Sequence, residues 1–450
     1  MSIVRLEQVS LPYLAQPAQW ATLDSGHQII VVHKPGEVVY IQTLVRTGSV
    51  NETDENTGVS HFLEHLMFKG TERFPAGAFD RILEGIGAQV NAGTSKDYTQ
   101  YYVGLPKGQD GEYYRLALDL HADMLLHALL PEEEIGPPFD PHAAESGEKR
   151  ERAVVIEEIK RSKDNPWRVA IQQLTELLYP THPYRREILG TAEVIATVPV
   201  ATIRDYYRTW YQPAAMITMV AGDFPAERVI EDVERNFHFH ATRPAPPSAF
   251  PREVAATAPQ VVHRTMPLNV SYLMLGFLGP ASDDLRAIIG LDMLSLIIGE
   301  GDSSRLQLRL VDQLPDTPFI RTGSSHWTLR DSSNVICYGI ARPDAAERSF
   351  ELLRAEIDRI HQEPPTPAEI EKAVTRLEAQ FAEQVETAAG ITLGLADSMA
   401  RLNTPANYTE YLPILHGLTR DDLVHYAEQY LRADTLSAVT VAPEQGKESV

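Results

Sequence analysis

The segment HFLEH at residues 61–65 constrains this chain more than any other part of its sequence. On a helix, residues i, i+3 and i+4 share one face, so His61, Glu64 and His65 would project from the same side. Two neutral imidazoles on one face can bind Zn²⁺, and a carboxylate beside them can reach a water at the metal. The spacing therefore predicts a helix that carries a metal site.

The surroundings of this segment favour a metal site over the ordinary alternative, a helix face with two hydrogen-bonded histidines and a solvated glutamate. Residues 57–60 supply helix-start residues, and a strand-like run precedes them at 38–45. Phe62, Leu63 and Leu66 would bury the remaining faces, and buried histidine and glutamate side chains need partners such as a metal. The order H-x-x-E-H is the inverzincin signature, which indicates a metal-dependent peptidase.

A catalytic zinc usually has three protein ligands and one open position, so a third ligand must come from elsewhere in the chain. The best candidate segment is the predicted amphipathic helix at residues 151–160, with Val154, Val155 and Ile159 as its apolar stripe. On this helix Glu151 and Glu158, seven residues apart, share a face, and Glu157 points about a quarter-turn away. A solvated acidic face is the ordinary alternative, and spacing alone does not separate Glu157 from Glu158.

Several longer segments resemble the pitrilysin family, which includes the mitochondrial processing peptidase and its bacterial relatives. They are HFLEHLMFKGT at 61–71, NAGTSKDYTQYYVGLP at 91–106, ERAVVIEEIKRSKDNP at 151–166 and HPYRREILGT at 182–191. The resemblance covers essentially the whole chain, although it is weaker in the second half. One departure is the Pro- and Glu-rich segment 130–149, which is longer than usual in the family and is predicted to be a surface insertion.

The resemblance implies roles for the residues of these motifs. His61 and His65 match zinc ligands of the family, and Glu64 matches its general base. The third ligand in the family is the second glutamate of an E-x6-E pattern, which implies Glu158 as the ligand and Glu151 as a supporting carboxylate. Zn²⁺ is thus the expected metal, and Mn²⁺ or Co²⁺ could substitute for it in vitro.

The strand predicted around Asn91, Ala92, Gly93 and Thr94 could present an open sheet edge. An extended peptide pairs with such an edge through main-chain hydrogen bonds, so these four residues are predicted to bind substrate. The expected reaction is hydrolysis of peptides or unfolded polypeptides, in which Glu64 accepts a proton from water and passes it to the leaving amine.

Length, charge and hydropathy limit the class of protein. The chain has 450 residues, which suits two domains, and a net charge of −22, which argues against a nucleic-acid partner and would favour cationic peptides. The sequence contains no run of about 18 apolar residues, so no transmembrane helix is expected. Residues 1–7 lack the features of a signal peptide, so a cytoplasmic location is expected and a periplasmic one stays open. Cys337 is the only cysteine, so no intrachain disulfide is expected.

The pattern of predicted elements repeats along the chain. Residues 1–236 form the predicted zinc-bearing domain, 237–256 a Pro-rich linker and 257–450 a homologous domain. In the second domain the helix equivalent to the metal helix, 285–298, is mostly apolar, so this domain is predicted to be non-catalytic. The resemblance implies an α+β fold with two tandem domains, each with a largely antiparallel sheet flanked by helices.

The second half also departs from the family at a substrate-contacting pair. Many relatives carry an Arg and, seven residues later, a Tyr, whereas here Val311 stands near the Arg position and no Tyr follows it. A tetrahedral intermediate needs donors for its negative charge. We therefore expect a heterodimer with a homologous subunit that supplies the pair; the alternative is a homodimer using other donors such as Arg309 or Arg321. A non-catalytic subunit of a larger complex is the alternative function, against which the intact motif argues.

Overall fold

The computed structural model describes residues 2–141, 150–239, 244, 246 and 248–444, and the chain divides into two compact units. The first unit contains residues 1–160, 186–249 and 381–409, and the second contains 161–185, 250–380 and 410–450. Both units are therefore discontinuous in sequence. A contiguous division at 237–256 would assign residues 161–185 to the first unit and residues 381–409 to the second. In the structure, residues 161–185 belong to the second unit and residues 381–409 to the first.

Two mixed sheets, each largely antiparallel, form the centres of the two units. Their strands are β1 (Ile3–Val9), β2 (Ala18–Leu23), β3 (Gln28–His33), β4 (Val38–Val45), β5 (Gln89–Thr94), β6 (Thr99–Pro106), β7 (Met216–Gly222), β8 (Gln260–Met266), β9 (Ser271–Gly279), β10 (Phe319–Thr328), β11 (Ser333–Ala341) and β12 (Ser437–Pro443).

Helices flank both sheets, which confirms the predicted α+β class. They are α1 (Val59–Leu66), α2 (Ala78–Gly85), α3 (Glu112–His127), α4 (Glu132–Ile135), α5 (Glu151–Lys163), α6 (Pro166–Leu178), α7 (Ala192–Thr197), α8 (Val200–Trp210), α9 (Ala226–Asn236), α10 (Leu285–Gly299), α11 (Ala346–Asp358), α12 (Pro367–Val385), α13 (Ala388–Leu402), α14 (Ala406–Gly417) and α15 (Arg420–Tyr430). None of the helices in the described part of the chain has the length and apolar composition needed to cross a bilayer.

The strand orders of the two sheets reveal the internal duplication. The first sheet has the order β1-β2-β3-β7-β4-β6-β5, and the second has the order β10-β11-β9-β12-β8. Without β1 and β2, the first sheet has the same order and the same strand directions as the second, with one parallel pair in each, β3–β7 and β8–β12. In chain order α1 follows β4 and α10 follows β9, so α10 is the topological equivalent of the metal helix.

One helix against each sheet comes from the opposite half of the sequence. In the first unit α13 packs against β4 and β7, and in the second unit α6 packs against the equivalent strands β9 and β12. Ile391, Leu395 and Met399 of α13 are fully buried. The first sheet therefore depends on apolar side chains that lie far from the metal motif in sequence.

Two details of the sequence interpretation need correction. In α5, Val154 is exposed and Ile156 is buried together with Val155 and Ile159, so the apolar stripe is shifted by a part of a turn. Segment 130–149 is not wholly a surface insertion, because Leu130 and Ile135 are buried in the first unit's core. Residues 142–149 of this segment lie outside the described residues.

A chain of hydrogen bonds between buried side chains runs through the first unit. His27 Nε2 lies 2.9 Å from Thr218 Oγ1, the two threonine hydroxyl oxygens of Thr218 and Thr43 lie 3.0 Å apart, and Thr43 Oγ1 lies 2.9 Å from His121 Nε2. Each hydroxyl donates one proton, so one of the two histidines must donate the third. Among the described residues, neither Nδ1 atom has a hydrogen-bond partner. Burial lowers the pKa of each imidazole to about 3, so both are neutral in the fold.

Because His27 and His121 are buried in the neutral form, we expect the protein to lose stability in mild acid. Their folded-state pKa lies below the ordinary value of 6.5, so below that pH the unfolded chain binds more protons and stability falls as the pH falls. Between pH 7.5 and 5.5, each histidine should cost on the order of 1 kcal/mol of unfolding free energy. Urea unfolding of the metal-free protein at both pH values measures this. His121→Gln should lose less stability than the wild type, whereas His238→Gln, at an exposed position, should follow the wild type; parallel losses in all three proteins would contradict the prediction.

The packing of α13 predicts that the first unit is sensitive to a substitution in the second half of the sequence. Leu395→Ala removes a fully buried side chain and should lower the free energy of unfolding by about 2–5 kcal/mol. Leu393→Ala, on the same helix but 39% exposed, is the matched control and should cost far less. Denaturant unfolding of both variants measures the two losses of unfolding free energy. If Leu395→Ala costs as little as Leu393→Ala, α13 does not contribute to the core.

Candidate metal centre

Helix α1 holds the metal motif because its apolar residues anchor one side of it. Val59, Phe62, Leu63 and Leu66 are fully buried in the core of the first unit. These positions recur at the helical period, so the remaining side of the helix carries both histidines. The ring centroids of the two imidazoles lie 4.7 Å apart.

Helix α5 is attached to the same core by a buried arginine. The Arg152 guanidinium donates to the carbonyl oxygens of Gly136, Ile195 and Val198, with 3.0 Å to the last, and its centre lies 5.6 Å from the ring centroid of Phe62. Burial lowers its pKa to about 10, which leaves it charged at neutral pH. Because Phe62 belongs to α1, this side chain links the two helices that carry the predicted ligands.

The three predicted ligands meet in the first unit. Glu158 Oε2 lies 3.7 Å from His61 Nε2 and 3.7 Å from His65 Nε2. These distances are too long for hydrogen bonds, but they approach the separation of about 3.4 Å between two ligands of a tetrahedral zinc with bonds of about 2.1 Å. Two imidazole nitrogens and a carboxylate oxygen are also ligands that zinc prefers, so the residues fit this metal.

The structure separates the two glutamates that spacing left open. Glu158 faces the imidazoles, whereas Glu157 is on the exposed side of α5 and forms an ion pair with Lys160 at 2.8 Å. The difference follows from which residues of α5 are buried. Val155, Ile156 and Ile159 turn toward the core, and their burial turns Glu157 toward solvent.

Glu151 lies behind one of the predicted ligands, as the sequence indicated. Its Oε2 lies 3.2 Å from His65 Nδ1, and its Oε1 lies 2.6 Å from Lys69 Nζ. An Nδ1–H that donates to Glu151 leaves the Nε2 lone pair of His65 free to bind a metal. Lys69 was not predicted, because it lies beyond the end of α1 at Leu66 and helical spacing does not place it beside Glu151.

The two imidazoles differ in their electrostatic surroundings. Burial, together with the neighbouring imidazole, lowers the pKa of His61 to about 3, so its ring is neutral. Burial also opposes the charged form of His65, but the hydrogen bond with Glu151 and the nearby carboxylates outweigh it and raise its pKa. His61 Nδ1 is buried and has no hydrogen-bond partner among the described residues.

Glu64 is half-buried beside the ligands and is held by a threonine. Thr94 Oγ1 donates to Glu64 Oε2 at 2.6 Å. Burial raises the pKa of the Glu64 carboxyl, and the Thr94 hydrogen bond partly opposes this change. The contact joins α1 to the end of β5, and sequence reasoning missed it because the two residues are thirty positions apart.

The four predicted substrate-binding residues lie on an edge strand. Asn91, Ala92, Gly93 and Thr94 belong to β5, which is the last strand of the first sheet and, among the described residues, pairs only with β6. Within the described part of the chain, β5 therefore has the open edge expected from the sequence. The hydroxyl of Thr94, however, is directed to Glu64.

In the second unit the two arginines considered as alternative donors have different surroundings. Arg309, on a π-helical turn at Gln307–Asp312, pairs with Glu356 at 2.8 Å and Glu363 at 2.7 Å. Arg321 lies on β10 and is exposed. A donor role for Arg309 would therefore require it to leave two carboxylates.

Comparison with known proteins agrees with this site. The model of the insulinase family, peptidase family M16, matches residues 28–192, and the model of the peptidase M16 inactive domain matches residues 197–377. The first match contains the H-x-x-E-H motif and Glu158. The second begins after these residues, in agreement with a second domain that lacks the motif.

Individual relatives lead to the same family. The zinc protease PqqE of Helicobacter pylori is 29% identical over 437 residues, which cover 94% of this chain and 92% of that protein. The uncharacterized zinc protease YmxG of Bacillus subtilis is 30% identical over 368 residues, 81% of this chain and 84% of that protein. The crystal structure of a protease from Helicobacter pylori matches with a TM-score of 0.86 at 26% identity, covering 96% of this chain and 100% of that one. The resemblance drawn from the sequence is confirmed, and the chain belongs to the insulinase family of peptidases, peptidase family M16.

Proposed function

We propose that this protein is a zinc-dependent endopeptidase that hydrolyses peptides or unfolded polypeptides. The observation that carries the proposal is the convergence of His61, His65 and Glu158, with a half-buried Glu64 beside them. Relatives named zinc proteases support the same reaction class. The match to an inactive-domain model concerns residues 197–377 and so does not argue for the alternative, a non-catalytic subunit.

His61 and His65, through their Nε2 atoms, and the Glu158 carboxylate would hold the zinc. When bound, zinc supplies Lewis acidity that makes a water more acidic and polarises a peptide carbonyl. Glu151, itself paired with Lys69, keeps the His65 ring in the orientation that directs Nε2 toward the site.

Glu64 is the proposed general base. Its half-buried carboxylate, whose pKa is raised by partial burial, accepts a proton from water more readily than a fully exposed one and can then pass it to the leaving amine. The hydrogen bond from Thr94 restricts the carboxylate to one orientation. Thr94 is therefore proposed to position Glu64, while the main chain of residues 91–94 binds an extended peptide along the edge of the sheet.

The chain is proposed to act with a homologous subunit that supplies an Arg/Tyr pair, and a homodimer is the alternative. Support for a missing donor comes from the sequence around Val311 and from the two ion pairs of Arg309. The net charge of −22 favours cationic peptides as substrates. The cytoplasmic location stays a prediction from the sequence.

Glu64→Gln should lower the rate of peptide hydrolysis by about 10²–10⁴-fold, because an amide does not accept the proton from water. Zinc binding should remain, since the three ligands are unchanged. Glu157→Gln, on the exposed side of α5, is the matched control and should cleave like the wild type. Cleavage of a mixed peptide library is measured with and without a co-purified homologous partner, and metal content is measured beside it. Full activity of the chain alone would remove the argument for the partner, and activity in Glu64→Gln would contradict the proposed base.

Thr94→Val should lower kcat by about 10-fold and leave KM and zinc content nearly unchanged, because it removes one hydrogen bond to a charged group. Thr94→Ser keeps the hydroxyl and should restore most of the rate. Steady-state kinetics of both variants on one peptide make the test. A rise in KM with an unchanged kcat would instead assign Thr94 to substrate binding.

A further inference from the structure

Glu52 is a buried carboxylate at the start of the metal helix, and the proposed mechanism does not use it. Its Oε2 accepts a hydrogen bond from the backbone N–H of Gly58 at 2.7 Å, and its Oε1 accepts one from the N–H of Ser60 at 2.8 Å. Gly58 precedes α1 and Ser60 is the second residue of the helix. Amides at a helix start have no acceptor within the helix, so this one carboxylate satisfies two of them.

A second set of contacts holds the same turn through a side chain. Ser60 Oγ lies 2.8 Å from the hydroxyl of Tyr206, which lies 2.7 Å from Thr47 Oγ1. Tyr206 belongs to α8 and is buried, and burial raises the pKa of its hydroxyl. The first turn of α1 is thus connected both to the loop before it and to a neighbouring helix.

The backbone on the other side of this turn lies so close that it leaves no room for a side chain at Gly58. Gly58 has a φ of +88°, and a Cβ atom built on it would lie 2.5 Å from the carbonyl oxygen of Leu189 and 2.8 Å from Gly190 Cα. The start of α1 is therefore enclosed between Glu52 and the backbone at 189–190.

The two predicted histidine ligands differ in what orients their rings. His65 is held by Glu151 through Nδ1, whereas His61 Nδ1 has no hydrogen-bond partner in the described part of the chain. The position of the His61 ring therefore depends on its own backbone and packing. Ser60, whose N–H is bonded to Glu52, is the residue directly before it.

We propose that Glu52 is a positioning residue for the metal site, which sets the place of His61 Nε2 by holding the first turn of α1. A rotation or slip of this turn would displace the His61 ring directly. His65, one turn later and held by Glu151, would move less. A carboxylate suits this task because its two oxygens bond two amides from one planar group, although burying it raises its pKa to about 7. The inference rests on the proposed function, since it requires a metal at this site.

Titration of the metal-free, full-length protein with Co²⁺ tests the proposal, because the visible absorption of Co²⁺ reports both affinity and coordination geometry. Glu52→Gln keeps the shape of the side chain but offers an acceptor to one amide and an NH₂ group to the other. It should weaken Co²⁺ binding by about 10-fold and alter the absorption bands, as loss of a supporting group usually does.

The control separates positioning from a general loss of stability. Thr419→Ala removes the side-chain cap of α15 in the second unit, where Thr419 accepts from the N–H of Asp422 in a capping box. This variant should lower the unfolding midpoint and leave the Co²⁺ affinity and spectrum unchanged. If Glu52→Gln does not fold, Glu52→Asp replaces it; its carboxylate is too short to reach both amides, so its affinity should also fall below that of the wild type.

The outcomes are distinct. Weaker Co²⁺ binding and altered bands in the Glu52 variant, with neither in Thr419→Ala, support the proposal. Wild-type binding in a folded Glu52 variant overturns it and leaves the proposed peptidase function intact. Equal weakening in Thr419→Ala also overturns it, because the effect would then follow stability alone. A wild-type protein that binds no Co²⁺ or Zn²⁺ would refute the proposed function itself, and this inference with it.

Discussion

The packing of α5 beside α1 is the constraint on which the rest of the metal centre depends. Each helix carries only part of the ligand set, and Glu158 Oε2 comes within 3.7 Å of both imidazole Nε2 atoms because both helices are attached to one core. Arg152 contributes to this attachment, since its guanidinium bonds three carbonyl oxygens and lies over the ring of Phe62. A buried arginine is stable only when such acceptors surround it, so its partners must keep their places for the site to exist.

The duplicated architecture places support for the site far from the motif. The first sheet, which carries β5, is covered by α13, a helix from the second half of the sequence. The second sheet is covered by α6, a helix from the first half. The second unit keeps the strand order of the first, but its equivalent helix, α10, is almost entirely buried and apolar. The two units thus share their strand order, but of the two equivalent helices only α1 carries the metal motif.

Local patterns accounted for much of the site. The positions of His61, Glu64 and His65 on one helix follow from helical spacing, and the predicted edge strand at Asn91–Thr94 is β5. The choice of Glu158 over Glu157 did not follow from spacing, because it depends on which side of α5 the core covers. Helical spacing also does not predict the contacts of Thr94 with Glu64 and of Glu52 with Ser60, since nothing in the sequence indicates which polar groups meet across a fold.

The sequence by itself determined the repeated pattern of elements, the metal motif and the chemistry to which it points, because these depend on periodicity and residue type within short segments. The class of fold came from the resemblance of longer segments to the pitrilysin family. The resemblance to the pitrilysin family implied Glu158 and Glu151, but only the tertiary structure decided that Thr94 orients Glu64, that Glu52 holds the start of α1, and which helix covers each sheet. Those features depend on distances between residues that are remote in sequence. Such distances are set by the joint packing of many buried side chains, which no single segment specifies.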